Sequence, residues 1–164
     1  MEKLSFLGIG PKIALITFPF LVIAVILSIV YPNMFVFIYG ADNTLLIAGI
    51  LVLVTGFGFY LVTVRYLLLG LRNTRLITTG TYALCQNPLY AVFILLLIPG
   101  IALVMNSWLI LTTALPAYGA FRLFIASEYK EMERVFGKPY LDYKQRTPEF
   151  FPFAFRKWFG KKDR

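Results

Sequence analysis

Charge is missing from three long stretches of this chain, and that absence constrains the fold more than any other feature. No Asp, Glu, Lys or Arg falls between Ile13 and Ala41, between Asn43 and Val64, or between Leu76 and Phe121. A bilayer core about 30 Å thick takes roughly 20 helical residues at about 1.5 Å each, with every backbone polar group satisfied inside the helix. The first two stretches therefore hold one span each. The third has 46 residues, about 69 Å as one helix and about twice the hydrocarbon thickness, so it must fold back. Asn106-Ser107, the most polar point between Leu89–Met105 and Trp108–Ile125, is where the hairpin turns. The expectation is an all-α, polytopic transmembrane bundle of about four spans, over residues 13–31, 44–66, 89–105 and 107–126, with a polar tail over 127–164.

Composition agrees: 59% of the 164 residues are hydrophobic and 15% charged, an excess that a soluble domain could not hide. The first apolar run is longer than the core of a usual signal peptide, and no small-x-small cleavage site follows it before Tyr31-Pro32, so it is expected to remain as a span. A single cysteine, Cys85, and no histidine leave no intramolecular disulfide, no multi-cysteine metal site and no imidazole base. No metal site is expected.

All sixteen Lys and Arg lie in the N-terminal segment, the connection Arg65–Asn87, the tail, or at their membrane borders. The opposite loops, Tyr31–Asn43 and Asn106-Ser107, carry none. The positive-inside rule puts the basic face, and both termini, in the cytoplasm. The net charge of +8 then faces anionic headgroups, and no soluble domain remains to carry a nucleic-acid groove.

Within the tail, Ser127–Phe136 continues helically with Tyr129, Met132 and Phe136 on one stripe, before Gly137 and Pro139 stop it. This predicts an amphipathic helix at the interface. After Pro148 the aromatic residues Phe150, Phe151, Phe153, Phe155, Trp158 and Phe159 alternate with Arg156, Lys157, Lys161 and Lys162, as in an interfacial anchor.

Two polar stretches on the basic face are more specified than connections need to be. The first, TRLITTGTYALCQNPLY from Thr74 to Tyr90, has a glycine for a tight turn, an Asn-Pro that breaks helical continuation, and Tyr82 and Tyr90 framing the turn. Structural turn and ligand site both remain open readings of it. The second runs from Arg122 through Glu128 into FGKPYLDYKQRTPEFFPF, which begins at Phe136. Arg122 and Glu128, six apart, sit about 240° apart on one helix and cannot pair, so each needs another partner. Glu128 on its own is equally a solvated interfacial carboxylate.

Together these residues resemble the isoprenylcysteine carboxyl methyltransferases and the related membrane phospholipid methyltransferases, over roughly Thr74 to Phe153. Gly80, Tyr82, Asn87, Pro88 and Tyr90 match the element before the family's transmembrane hairpin; Glu128, Phe136, Gly137, Tyr140, Tyr143 and Pro148 match the element after it. Three features depart from the pattern. Gln86 stands where the family has arginine, Tyr129 replaces the second residue of a Glu-Glu pair, and the spans are fewer than in eukaryotic members.

The resemblance implies one membrane-embedded methyltransferase domain over 1–164, using S-adenosyl-L-methionine on the cytoplasmic face. A lipophilic acceptor would enter laterally from the bilayer. Carried over residue by residue, it implies a cofactor pocket of Thr74, Arg75, Leu76, Ile77, Tyr82, Asn87, Pro88, Leu89, Tyr90 and Glu128, with Glu128 facing the cationic methionine end. For the first expectation, O-methylation of an isoprenylcysteine-type carboxylate, Arg122 is the candidate to orient the acceptor, and it stands beside Glu128 as a catalytic candidate. For a lipid amine, N-methylation would need Glu128 or a tyrosine to take a proton. A scaffold protein that has lost turnover is the non-enzymatic alternative.

Overall fold

The computed structural model describes residues 8–40, 43–73 and 75–150. The expected pocket residue Thr74 and the aromatic-basic anchor beyond Phe150 lie outside the described residues. Among those described, the chain is helical throughout its apolar stretches. Helix α1 is Gly10–Val30, followed by the single turn α2, Pro32–Phe35. Helix α3 is Thr44–Asn73. The next arm, Pro88–Val104, consists of α4 (Pro88–Val92), a π-helical turn (Phe93–Leu97) and α5 (Ile98–Val104). The return arm consists of α6 (Trp108–Thr112) and α7 (Ala114–Phe136), and a final helix α8 spans Lys138–Arg146. The helices around Gly10–Val30, Thr44–Arg72 and Trp108–Phe136 are long and apolar enough to cross a bilayer, and Pro88–Val104 is the shorter fourth. The all-α bundle of about four spans is thus as expected.

The π-helical turn has a local cause. It runs up to Ile98-Pro99, where proline can donate no N–H and its ring crowds the carbonyl four residues back.

The arm Pro88–Val104 is the centre of the bundle, packed against α3 on one side and α6–α7 on the other, with α1 lying along α6 and α7. Against α3 the backbones touch: a Cβ built on Gly49 would sit 2.7 Å from the amide nitrogen of Val104. Small residues are the usual means of bringing membrane helices this close. Toward the basic face the core is Ile9, Ile13, Ile94, Ile98, Ala117, Ala120, Phe121 and Ile125. Toward the other face Ala24, Ala102 and Ile110 form a smaller cluster. Large apolar side chains such as Leu15, Ile29, Leu51, Val54 and Leu115 point outward, as lipid-facing residues do.

The expected hairpin turn is present at Asn106-Ser107, but its polar side chains do more than mark a turn. Asn106 adopts φ 46°, a conformation asparagine tolerates better than most residues. Its Oδ1 accepts from the amides of Phe37 (3.2 Å) and Ile38 (3.3 Å), and its Nδ2 donates to the Ile38 carbonyl at 3.0 Å. Ser28 donates its only hydroxyl proton to the Ala24 carbonyl at 2.7 Å. In the 2.6 Å contact between Ser28 and Ser107, Ser107 is therefore the donor. Both loops that lack Lys and Arg are thus pinned together at one end of the bundle.

At the opposite end two helices run past the borders set by their charges. α3 continues beyond Arg65 to Asn73, and α7 continues beyond Arg122 to Phe136. Gly137 does stop α7, but a further helix, α8, follows directly; the sequence reading had ended helical structure there. Pro139 sits in the first turn of α8, a position where its missing N–H costs nothing.

Candidate active site

A cavity of about 130 Å³ lies between the overhanging ends of α3 and α7, closed by the connection Arg75–Asn87, the start of α4, and α8. Nine of the ten expected pocket residues line it: Arg75, Leu76, Ile77, Tyr82, Asn87, Pro88, Leu89, Tyr90 and Glu128. Also lining it are residues that the sequence did not single out as ligand-facing: Gly8, Leu67, Gly70, Leu71, Gln86, Tyr129, Glu131, Met132, Phe136, Tyr140 and Tyr143. The stripe Tyr129, Met132 and Phe136 therefore faces the cavity, whereas its amphipathic pattern had suggested the lipid interface.

The connection before α4 is shaped by sterics. Gly80 has φ 63°, and a Cβ there would fall 2.4 Å from the Tyr66 ring, so only glycine fits the turn. The one turn of 3-10 helix at Gly80–Ala83 follows. Within it, the buried Thr81 hydroxyl is hydrogen-bonded to that of Thr63 at 3.0 Å. Pro88 opens α4 with its fixed φ, and Asn87 before it is left with an extended-side φ of −125°, as a residue preceding proline prefers.

A strap of chain from α8 to Phe150 holds this connection in place. Tyr140 and Tyr143, three apart in α8, share a face and are both buried. Tyr143 donates its hydroxyl to the Tyr82 carbonyl at 2.7 Å. Gln86 donates through its backbone to the Pro148 carbonyl (2.8 Å) and through Nε2 to the carbonyls of Thr147 (2.6 Å) and Lys144 (3.1 Å). Asn87 Nδ2 donates to the Tyr129 hydroxyl at 2.6 Å and to the Glu149 carbonyl at 3.1 Å. Tyr129 in turn donates to Glu149 Oε1 at 3.0 Å. The two residue departures from the family pattern, Gln86 and Tyr129, belong to this network. They join the strap to the cavity wall by neutral donors.

Glu128 and Arg122 each have a partner, as their separation on one helix required. Tyr90 donates its hydroxyl to Glu128 Oε2 at 3.1 Å, and the Ile9 amide donates to the same oxygen at 3.3 Å. Arg122 Nη1 donates to Glu149 Oε2 at 2.8 Å, with the side chains 52% and 38% exposed. Arg122 is not among the cavity-lining residues, so the structure does not bring the two catalytic candidates into one site. Neither Glu149 nor Gly8 carried a sequence signal; Tyr140 and Tyr143 did, through their three-residue spacing.

Burial, and after it the charge of Glu128, holds the phenols of Tyr82 and Tyr140 above their ordinary value. The Tyr143 phenol is raised chiefly by burial. All three are neutral donors at physiological pH, unsuited to act as bases.

Two residues that line the cavity, Gln86 and Tyr140, each carry a buried polar atom, Oε1 and the hydroxyl, with no hydrogen-bond partner among the described residues. The Gln86 orientation is fixed chemically: two carbonyls can face only its nitrogen, so its oxygen is turned away from them. A carboxylate and aromatic walls around one cavity are the features of a ligand site.

The phospholipid methyltransferase family model matches residues 37–139, more than half of the chain. The chain belongs to the phospholipid methyltransferase family. No curated protein and no solved structure matches it significantly. The resemblance seen in the sequence motifs is to the same superfamily, and a multi-pass membrane methyltransferase is what family and helices together support. The family segment spans the α3 end, the connection, the hairpin and Glu128. It excludes Gly8, Ile9 and the strap residues Tyr140–Phe150.

Proposed function

We propose that the protein transfers a methyl group from S-adenosyl-L-methionine to a lipophilic acceptor that reaches the cavity from the bilayer, with the basic face and both termini in the cytoplasm. The observation that carries the reading is the convergence of the two motifs on one cavity: nine expected residues line it together, although they come from a connection, α4 and α7. The donor set suits the cofactor. Glu128 offers a carboxylate to an ammonium or sulfonium, Gln86 Oε1 and the Tyr140 hydroxyl have unused hydrogen-bonding capacity, and Tyr82, Tyr90, Phe136, Leu67, Leu71 and Met132 supply aromatic and apolar wall. When bound, S-adenosylmethionine supplies an electrophilic methyl on sulfur and departs as a neutral thioether.

For such an in-line displacement the chain's own task is alignment and exclusion of water. The strap and Asn87 fix the wall, and Tyr90 holds Glu128 by donating to Oε2. The formally charged side chains lining the cavity are Glu128, Glu131 and Arg75, a negative balance that suits a cationic acceptor. Arg122, the candidate for orienting a carboxylate, already meets the carboxylate of Glu149. Both observations favour a lipid amine over the isoprenylcysteine-type carboxylate first expected. With an amine, the C–N bond forms as the C–S bond breaks. The ammonium proton is lost beforehand, and Glu128, the cavity carboxylate held by Tyr90 and the Ile9 amide, is positioned to take it.

The test is to incubate purified protein in lipid discs with methyl-labelled cofactor and, in parallel, an amine-headgroup phospholipid or a prenylated cysteine with a free carboxylate. Label on the amine lipid is expected. Label on the prenylated cysteine alone would return the assignment to O-methylation, and label on neither, with no cofactor binding by calorimetry, would leave a scaffold.

A further inference from the structure

We propose that the Gly8-Ile9 turn, which precedes the first span and lies outside the family-matched segment, is a positioning element for the Glu128 carboxylate. The Ile9 amide donates to Glu128 Oε2 at 3.3 Å across 119 residues of sequence, and Tyr90 donates to the same oxygen at 3.1 Å. Two donors approaching one oxygen from different elements define both its place and the plane of the carboxylate. Neither bond uses the acceptor sites of Oε1, which remain for a ligand.

The donor is itself fixed. Ile9 is 3% exposed, packed in the apolar cluster with Ile13, Phe121 and Ile125, and its carbonyl accepts from the amides of Lys12 and Ile13 as α1 begins. Its amide therefore stands at the entry of a 21-residue helix that is locked against α7, the helix that carries Glu128. Gly8 lines the cavity next to it. Its φ is +49°, and a Cβ there would lie 3.1 Å from Glu128 Oε2 and 3.3 Å from the Tyr90 hydroxyl. A Cβ at these distances is tighter than ordinary contact, so Glu128 and Tyr90 would have to give way by a few tenths of an ångström, and the positive φ favours glycine as well. Gly10, two residues on, has open space around its own Cβ position, so close approach is particular to Gly8.

This inference rests on the proposed role of Glu128 toward the cofactor, and calorimetry with S-adenosylmethionine on the full chain in detergent tests both. Gly8→Ala adds the Cβ and strains the turn, so Glu128 is displaced from its place. Affinity should fall roughly threefold to tenfold, the scale of a side chain forced off its rotamer. Gly8→Asn, which tolerates positive φ but carries the same Cβ, should lose about as much and serves if the alanine variant fails to fold. Gly10→Ala should bind like the unsubstituted protein. In a Glu128→Ala background, Gly8→Ala should cost markedly less, because the turn then has no carboxylate to place and only its contact with Tyr90 remains. Wild-type affinity in both Gly8 variants, or a loss that persists undiminished without Glu128, overturns this inference alone. Absence of binding by the unsubstituted protein overturns the cofactor reading and this inference with it.

Discussion

Glu149→Ala separates two interactions that meet on one carboxylate. The substitution removes the 2.8 Å ion pair with Arg122 and the 3.0 Å bond from the Tyr129 hydroxyl. The ion pair joins side chains 52% and 38% exposed, and exposed pairs contribute about 0.2–1 kcal/mol. The Tyr129 bond joins a phenol to a charged acceptor in a half-buried position, where such bonds contribute about 1.5–3 kcal/mol; its partial exposure places it near the lower end. Asn87 keeps its bond to the Glu149 backbone carbonyl in either case. The total is about 2 kcal/mol, three quarters of it from the hydroxyl side. At roughly 2–4 °C per kcal/mol for a chain of this length, the unfolding midpoint in detergent should drop by about 4–8 °C for Glu149→Ala and by only about 1–2 °C for Arg122→Ala. Glu149→Gln, which keeps an acceptor oxygen for Tyr129, should restore most of the difference. The reasoning is refuted if Arg122→Ala costs as much as Glu149→Ala, or if glutamine is no better than alanine, since either result would make the charge pair the principal contact.

Four other outcomes follow from the same geometry. Reporter fusions in the Tyr31–Asn43 loop and at the C-terminus should report opposite sides of the membrane, and the same side for both would overturn the four-span arrangement. Tyr90→Phe should weaken cofactor binding by roughly tenfold, the worth of about 1.4 kcal/mol for one bond to a charged acceptor, with unchanged affinity counting against a role for Glu128 Oε2. Gly49→Val should destabilise the bundle by about 1–3 kcal/mol through overpacking against the Val104 backbone, while Gly58→Ala, with open space around it, should be silent in the same melt. Because the folded Tyr82, Tyr140 and Tyr143 have raised pKa values, the unfolded chain releases its phenolic protons first. The stability they contribute is complete below the ordinary value of 10.0 and falls as pH rises beyond it. Tyr143→Phe should flatten that decline, and a decline that begins near neutral pH would point to another group.

The bundle was legible in the sequence because hydrocarbon admits so few solutions. A stretch without charge must be helical and near the bilayer's thickness, so the gaps in charge located the arms, and the length of the third gap required the turn at Asn106-Ser107. The cavity's near wall was legible as well, since Tyr82, Asn87-Pro88, Tyr90 and Glu128 belong to recognisable motifs and line one space. The extension of α7 to Phe136 was legible too, through the stripe that ends at Gly137; the overhang of α3 was not, because charges mark where a helix meets headgroups and not where its hydrogen bonding ends. Helix α8 was missed for a related reason: Gly137 and Pro139 stop one helix, and they also begin another.

What the tertiary structure alone decided is pairing. Periodicity on α7 excluded an Arg122–Glu128 contact, but it could not name Glu149, 27 residues from Arg122, nor Ile9, 119 residues from Glu128. Sequence fixes which face of a helix a side chain occupies, through a local repeat of 3.6 residues. It does not fix which distant segment meets that face. Here that depended on α1 lying along α7 and on the strap crossing the connection before α4, contacts whose free energy comes from packing many residues at once, with no local code.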